Sequence, residues 1–200
     1  MNTTEKYILG LKKSYIDNGA GEDWEHFESV KEGVSKEKLD QLQKIYPEIP
    51  QTLIDLLKYV DGTYWRKFKE EEIIFYLLGS DIEEYPYYLL SAKQIIENQN
   101  QAVEYYSDYI ERKYDEVDID EKITNRTSNL KWLHFSDCMN NGGTSQLFID
   151  FTPSEKGKKG QIIRFLHDPD EFKVIAENFE EYLQKLIDNE YDFINEDIIG

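Results

Sequence analysis

The apolar residues of this chain change their spacing along its length, and the order of that change restricts the fold more than any other feature. Residues 4–18 place Ile8, Leu11 and Tyr15 at helical spacing, and residues 35–45 do the same with Leu39, Leu42 and Ile45. A third stripe, Leu53, Leu56, Leu57 and Val60, follows at once. In the last third the pattern is that of strands. These are residues 132–135, then 146–151, where Leu147, Ile149 and Phe151 alternate with Gln146, Phe148 and Asp150, then 161–166 and 174–175. A closing helix over 178–188 carries Phe179, Tyr182, Leu183 and Leu186 on one face. Helices first, a run of strands later and no regular strand–helix alternation predict an α+β fold.

The punctuation agrees with these elements. Gly19-Ala20-Gly21 ends the first helix, and Ser35 with Glu37 in the first turn starts the next. Pro47 and Pro50 part the second and third stripes, because a proline drives its predecessor out of helical backbone. Asp61-Gly62 ends the third, so 35–60 reads as a helical hairpin. The charged stretch 22–32, with Trp24 and Phe27 as anchors, makes 1–32 a helical extension expected to pack loosely on a main domain of 33–200. Residues 73–79 are apolar on both faces and predict a buried strand, and 85–90, interrupted by Pro86, an edge strand or extended loop. Ser91 caps a long predicted helix with Ile95, Ile96, Ala102, Tyr106 and Ile110 inward, running into the acidic stretch 115–121. Residues 140–143, Asn-Asn-Gly-Gly, signal a turn, and 153–160 a loop.

Charge narrows the partners. Lys and Arg number 23 against 41 Asp and Glu, a net charge of −18. Nucleic acids and anionic membranes are bound by cations that displace counterions, so neither is expected as a partner. A basic protein is. The longest apolar run, 73–78, falls far short of the ~20 residues a spanning helix needs. The single cysteine, Cys138, excludes an intramolecular disulfide, and no signal peptide is recognisable at the amino terminus. The expected location is cytoplasmic.

Few residues suggest chemistry. His167-Asp168-Pro169-Asp170 could supply metal ligands together with His134 and Asp150, but Asp and Pro are also what a polar turn requires. Cys138 follows His134 by four residues in a strand-to-loop stretch that gives their side chains no reason to meet. Residues 156–160, Lys-Gly-Lys-Lys-Gly, lack the spacing of a phosphate loop and join two strands. No catalytic residue, metal ligand or cofactor is assigned, and a binding protein is expected in place of an enzyme.

Tyrosine is the residue that points to binding. There are 15, and Tyr85, Tyr87, Tyr88, Tyr105, Tyr106, Tyr109 and Tyr114 lie in or beside the most acidic segment. Tyrosine joins apolar area to a polar tip and suits interfaces, although a partly buried aromatic cluster would need the same residues. On the helix after Ser91, Glu104, Asp108, Glu111 and Asp115 recur at spacings of four, three and four and should share one face. The candidate partner-binding residues are Glu104, Tyr105, Asp108, Tyr109, Glu111 and Asp115. A solvated acidic face is the plain alternative, and the loops around Gly62 and Asn140 are the alternative interface.

The order of segments resembles the SUKH superfamily. The residues that carry the likeness are Gly33-Val34-Ser35, Tyr46-Pro47-Glu48-Ile49-Pro50, Leu53-Ile54-Asp55-Leu56-Leu57 and Asp61-Gly62. Later come Trp132-Leu133-His134-Phe135, Phe148-Ile149-Asp150 and Phe179-Glu180-Glu181-Tyr182-Leu183, so the resemblance covers about 31–189. It implies one domain with a central curved, mostly antiparallel sheet flanked by helices, and binding in place of catalysis. The superfamily includes bacterial immunity proteins that neutralise secreted nuclease toxins and yeast-type cell-wall assembly regulators. The implied function is therefore an immunity protein that blocks a basic toxin domain by protein–protein contact. The alternative is an intracellular scaffold of cell-wall synthesis. The 1–32 extension and the helix after Ser91 exceed the minimal domain, which makes them the expected seats of partner specificity.

Overall fold

In the computed structural model, which describes residues 1–83, 85–138 and 145–199, a six-stranded sheet is covered on both faces. The turn expected at 140–143 lies outside the described residues. The sheet contains β3 (Tyr87–Leu89), β4 (Asp118–Ile119), β5 (Trp132–Cys138), β6 (Gln146–Asp150), β7 (Gln161–Leu166) and β8 (Glu171–Ala176), in the order β3-β5-β6-β7-β8-β4. Every pairing is antiparallel except that of β4 with β8. Register shifts between His134 and Ser136 and between Ile162 and Ile163 mark bulges, which bend a strand and increase its twist. The fold is α+β, as the order of spacings predicts.

The alternation along the strands assigns each side chain to a face. Leu133, Phe135, Leu147, Ile149 and Ile162 enter a core shared with α1 (Thr3–Asp17), α4 (Gln51–Tyr59) and α7 (Phe179–Asp188). Trp132, Phe148, Ile163, Phe165 and Phe172 point the other way, onto Ala102, Tyr106 and Ile110 of α6 (Gln101–Ile110) and onto Ile123. Around the first core, α3 (Lys36–Ile45) packs on α5 (Ala92–Glu97), while α4 packs on α1 and α7. Ser91 caps α5 as expected, its hydroxyl accepting from Gln94 N at 3.2 Å.

Three expectations need correction. The amino-terminal segment packs tightly: Tyr7, Leu11, Trp24 and Phe27 of α1 and α2 (Gly21–Val30) are buried in the main core. Phe27 and Tyr15 stack on Phe75 at 4.1 and 4.7 Å, and the Tyr7 hydroxyl donates to Leu77 O at 2.8 Å. The charges of 22–32 misled because Trp24, Phe27 and Val30 recur at helical spacing on the inward face while the charges face water. Burying each such ring contributes about 1.5–3 kcal/mol.

The block 73–79 is mostly not a strand. Only its first residue belongs to one, β2 (Glu71–Ile73), which pairs with β1 (Arg66–Phe68) in a separate hairpin. The rest runs under α1 and α2, with Phe75 N donating to Thr63 O and Leu77 N to Tyr87 O. A short apolar run records burial without recording backbone conformation. It also shields the outer edge of β3, which is the edge strand anticipated for 85–90. Finally, the long helix after Ser91 is two helices, α5 and α6, parted at Asn98–Asn100 where asparagines favour a turn.

Two predictions follow from the packing. Trp132, Phe148, Ile163 and Leu183 are all buried as their spacing implies, and Trp132→Ala should lower unfolding free energy by about 3–5 kcal/mol in urea titration. Asp150 is fully buried on β6, where it accepts from Thr152 N at 2.8 Å and Gln161 Nε2 at 2.9 Å. Burial outweighs these bonds and raises its carboxyl from an ordinary 3.8 to about 6. The folded chain then holds a proton that the unfolded chain has released, so this group's stabilisation is full below pH 4 and is lost as pH rises through 6. The loss is about 3 kcal/mol. Unfolding free energies of wild type and Asp150→Asn should diverge across that window and run parallel outside it.

Candidate protein-interaction surface

The inward stripe Ala102, Tyr106 and Ile110 fixes how α6 lies on the sheet, and so decides which of its residues meet water. Glu104, Tyr105 and Asp108 are exposed, Tyr105 at 70%. Tyr106 belongs to the core, with its hydroxyl on Gln146 Oε1 at 2.6 Å. Tyr109 is half-buried, its ring 6.3 Å from Tyr106 and 5.3 Å from Tyr114. A hydrogen bond to Asp170 of the β7–β8 turn raises the Tyr109 hydroxyl above its ordinary range.

The expected row of four carboxylates on one helix face does not form. α6 ends at Ile110; Glu111 caps it, and Asp115 lies beyond Arg112, whose φ is +56°. Arg112 turns the chain there because its guanidinium donates to Ile110 O, to Thr124 O at 3.0 Å and to Ile123 O at 3.0 Å. An arginine offers five donors and no acceptor, so a cluster of carbonyls can hold it. Lys113 then falls between two of the acids, 2.7 Å from Asp108 and 3.2 Å from Glu111. Glu111 also accepts the Thr127 hydroxyl, and Thr127 with Lys113 holds its carboxyl below the usual range. Glu104, Tyr105, Asp108 and Tyr109 share the helix; among the described residues Glu104 and Asp115 have no cationic partner.

The residues considered for metal binding or catalysis are kept apart. His134 is buried, with Nδ1 3.0 Å from Asn98 Nδ2 and Nε2 2.8 Å from Asp137 Oδ1. The amide nitrogen of Asn98 can only donate, so His134 Nδ1 accepts there and Nε2 faces the Asp137 carboxylate. His167 Nδ1 lies 2.8 Å from Asp170 Oδ1 at the exposed β7–β8 turn, and Asp150 has the separate partners given above. Among the described residues no three His, Cys, Asp or Glu side chains are grouped to hold a metal ion. Cys138 belongs to the core that holds Leu133 and Phe135, whereas the His134 ring packs 4.9 Å from Phe148 on the opposite face. The lysines of the 153–160 loop form no basic island, since Lys156, Lys158 and Lys159 pair with Glu121, Glu177 and Glu48.

One surface feature escaped the spacing analysis. Asp61 fixes the loop after α4: Oδ1 accepts Ala92 N at 2.8 Å, Oδ2 accepts Arg66 Nη2 at 2.9 Å, and its carbonyl accepts Arg66 Nε at 2.6 Å. Gly62 has φ +88°, and a Cβ there would sit 2.5 Å from Ser91 N, so no larger residue fits. Directly after this pinned stretch, Trp65 has φ +49° and is 54% exposed. Left-handed backbone costs a bulky residue about 1–3 kcal/mol and persists only where the surroundings impose it. Tyr64 and Tyr76 flank Tyr88 at 5.0 Å each. The Asp61-Gly62 pair was visible in the sequence as a helix stop, but nothing in it announced an exposed tryptophan.

No helix among the described residues is long and apolar enough to cross a membrane. No curated protein matches the chain. The model of the SMI1 / KNR4 family (SUKH-1) matches residues 33–185, from just before α3 into α7, and leaves α1 and α2 outside. With the match spanning the whole sheet and most of the sequence, the chain belongs to the SMI1/KNR4 family (SUKH-1).

Proposed function

We propose that this chain is an immunity protein that binds a cognate nuclease toxin domain inside the producing cell and blocks it by protein–protein contact. Family membership supports a protein-binding role. The observation that carries the finer reading is charge. A chain at −18 draws a basic partner toward it, and nuclease surfaces that hold phosphate are basic. The interface proposed on α6 uses Glu104, Tyr105, Asp108 and Tyr109, with Glu111 and Asp115 at its end. Tyr105 supplies amphipathic area there, and Glu104 supplies charge that no lysine among the described residues cancels.

The direct test is rescue. Co-expression should protect cells from the toxin domain encoded beside this gene and from no unrelated toxin, and the purified proteins should bind at micromolar concentrations or tighter. Absence of binding would remove the reading. Reversal of Asp108 or Glu111 would also break an ion pair with Lys113, so Glu104 and Tyr105 are the cleaner probes of the interface. The double variant Glu104→Lys, Tyr105→Ala should slow association several-fold and flatten its salt dependence, with thermal stability unchanged because both side chains are exposed. Unaltered association kinetics would move the interface off α6.

A further inference from the structure

A groove lies between α2 and residues 72–76, with the carboxyl-terminal helix α8 (Glu196–Ile199) also contributing to its wall. Its volume is about 260 Å3, and its apolar lining includes Phe27, Ile74, Phe75 and Tyr76. That is below the ~300–1,000 Å3 of sites that enclose a small molecule, and it suits a side chain presented by another protein. Ile74 is 41% exposed. Trp65 and Ile74 are the residues immediately outside the Arg66–Ile73 pair of the β1–β2 hairpin, so the backbone of the exposed tryptophan lies across from Ile74, which lines the groove, while Trp65 itself stands outside the lining.

The charges at this groove differ from those on α6. Asp23 and Glu72 contribute to its lining, both exposed, and among the described residues neither pairs with a cation. His26 also lines the groove and is engaged with Glu71, Nε2 to Oε2 at 3.0 Å. Lys67 lies opposite Glu72 across the hairpin, yet the two form no ion pair. Exposed apolar surface at Ile74 beside Asp23 and Glu72 complements a lysine or arginine, whose stem is apolar and whose head is cationic. The walls are also preorganised. Phe27, Phe75 and Tyr15 are stacked, the Tyr15 hydroxyl donates to Tyr76 O at 2.7 Å, and Phe75 N donates to Thr63 O at 3.0 Å. An exposed tryptophan next to a preformed groove is a usual setting of an interface anchor, since aromatic side chains offer large contact area.

We propose that this groove, with Trp65 beside it, is a docking site for a basic segment of a partner protein, one arginine or lysine entering the groove and flanking apolar residues covering Trp65. The proposal rests on the protein-binding reading but not on the partner being a toxin.

The probe is a synthetic peptide of arginines alternating with leucines, titrated into the full chain and followed by NMR, with a peptide carrying glutamate for arginine as control. Saturable shifts should appear at the Trp65 indole, the Ile74 methyls and the Tyr76 ring, and not with the glutamate peptide. The double variant Asp23→Lys, Glu72→Lys and, separately, Trp65→Ala should each weaken binding at least tenfold. All three positions are exposed, and a retained far-UV spectrum confirms folding. Absent binding, shifts centred on α6, equal binding of the glutamate peptide, or unchanged affinity in both variants would each overturn the proposal. So would self-association without peptide that Trp65→Ala abolishes, which would make a second copy the occupant. The rescue assay is read separately, so either idea can fail while the other stands.

Discussion

Two-sided burial of β6 and β7 is the constraint on which the rest of the structure depends. Every residue of β6 is buried, and Ile162 and Ile163 of β7 point into different cores. Such strands cannot leave a face to water, so helices are required on both sides of the sheet. α1, α4 and α7 cover one face, and α6 with the stretch around Ile123 covers the other. The placement of α6, and with it the exposure of Glu104 and Tyr105, follows from the need to cover Phe148, Phe165 and Phe172.

Arginines and one aspartate fix the chain where apolar packing gives out. Arg164 on β7 is 2% exposed and faces the α7 side, where it binds Asp81 through Nε at 2.5 Å and Glu171 through Nη2 at 2.6 Å. Lys173 adds a 2.7 Å contact to Asp81. Burial would raise the Asp81 carboxyl, but Arg164 and Lys173 together hold it below its ordinary value. Truncating Arg164 would leave Glu171 without its cation and Asp81 with Lys173 alone, a loss smaller than the about 3–5 kcal/mol of a fully buried pair because both acids reach solvent. Arg112 closes the end of α6 by the same logic, and Asp61 anchors the loop that presents Trp65. In each case a long-range polar contact sets the path of an irregular segment, and two of these segments lie next to the surfaces proposed to bind partners.

Net charge acts on a partner only through charges that are not already spent. Of the carboxylates first considered on α6, Asp108 and Glu111 share Lys113, while Glu104 forms no ion pair among the described residues. Among the described residues Asp23 and Glu72, which spacing alone gave no reason to choose, form none either, although Lys67 lies opposite Glu72. The two proposed surfaces thus divide the work of recognition: free acid for long-range attraction, and Tyr105 or Trp65 for contact area.

Much of the fold was legible because periodicity reports burial directly. The alternation at 146–151 assigned Leu147 and Ile149 to one face and Phe148 to the other, and the stripes for α1, α3, α4 and α7 set those helices correctly. Ser35, Ser91 and Gly62 marked ends through local hydrogen bonding and backbone freedom that depend on few neighbours. The sequence by itself therefore determined the α+β class, the core residues and the acidic surface. Tertiary structure alone decided the rest. It turned 73–79 into packing beneath α1 and α2, and ended α6 where Arg112 found carbonyls from residues 110, 123 and 124. It also set Lys113 between two acids and held Trp65 in left-handed backbone. These outcomes depend on contacts between residues distant in sequence or on loop geometry, for which periodicity carries no signal.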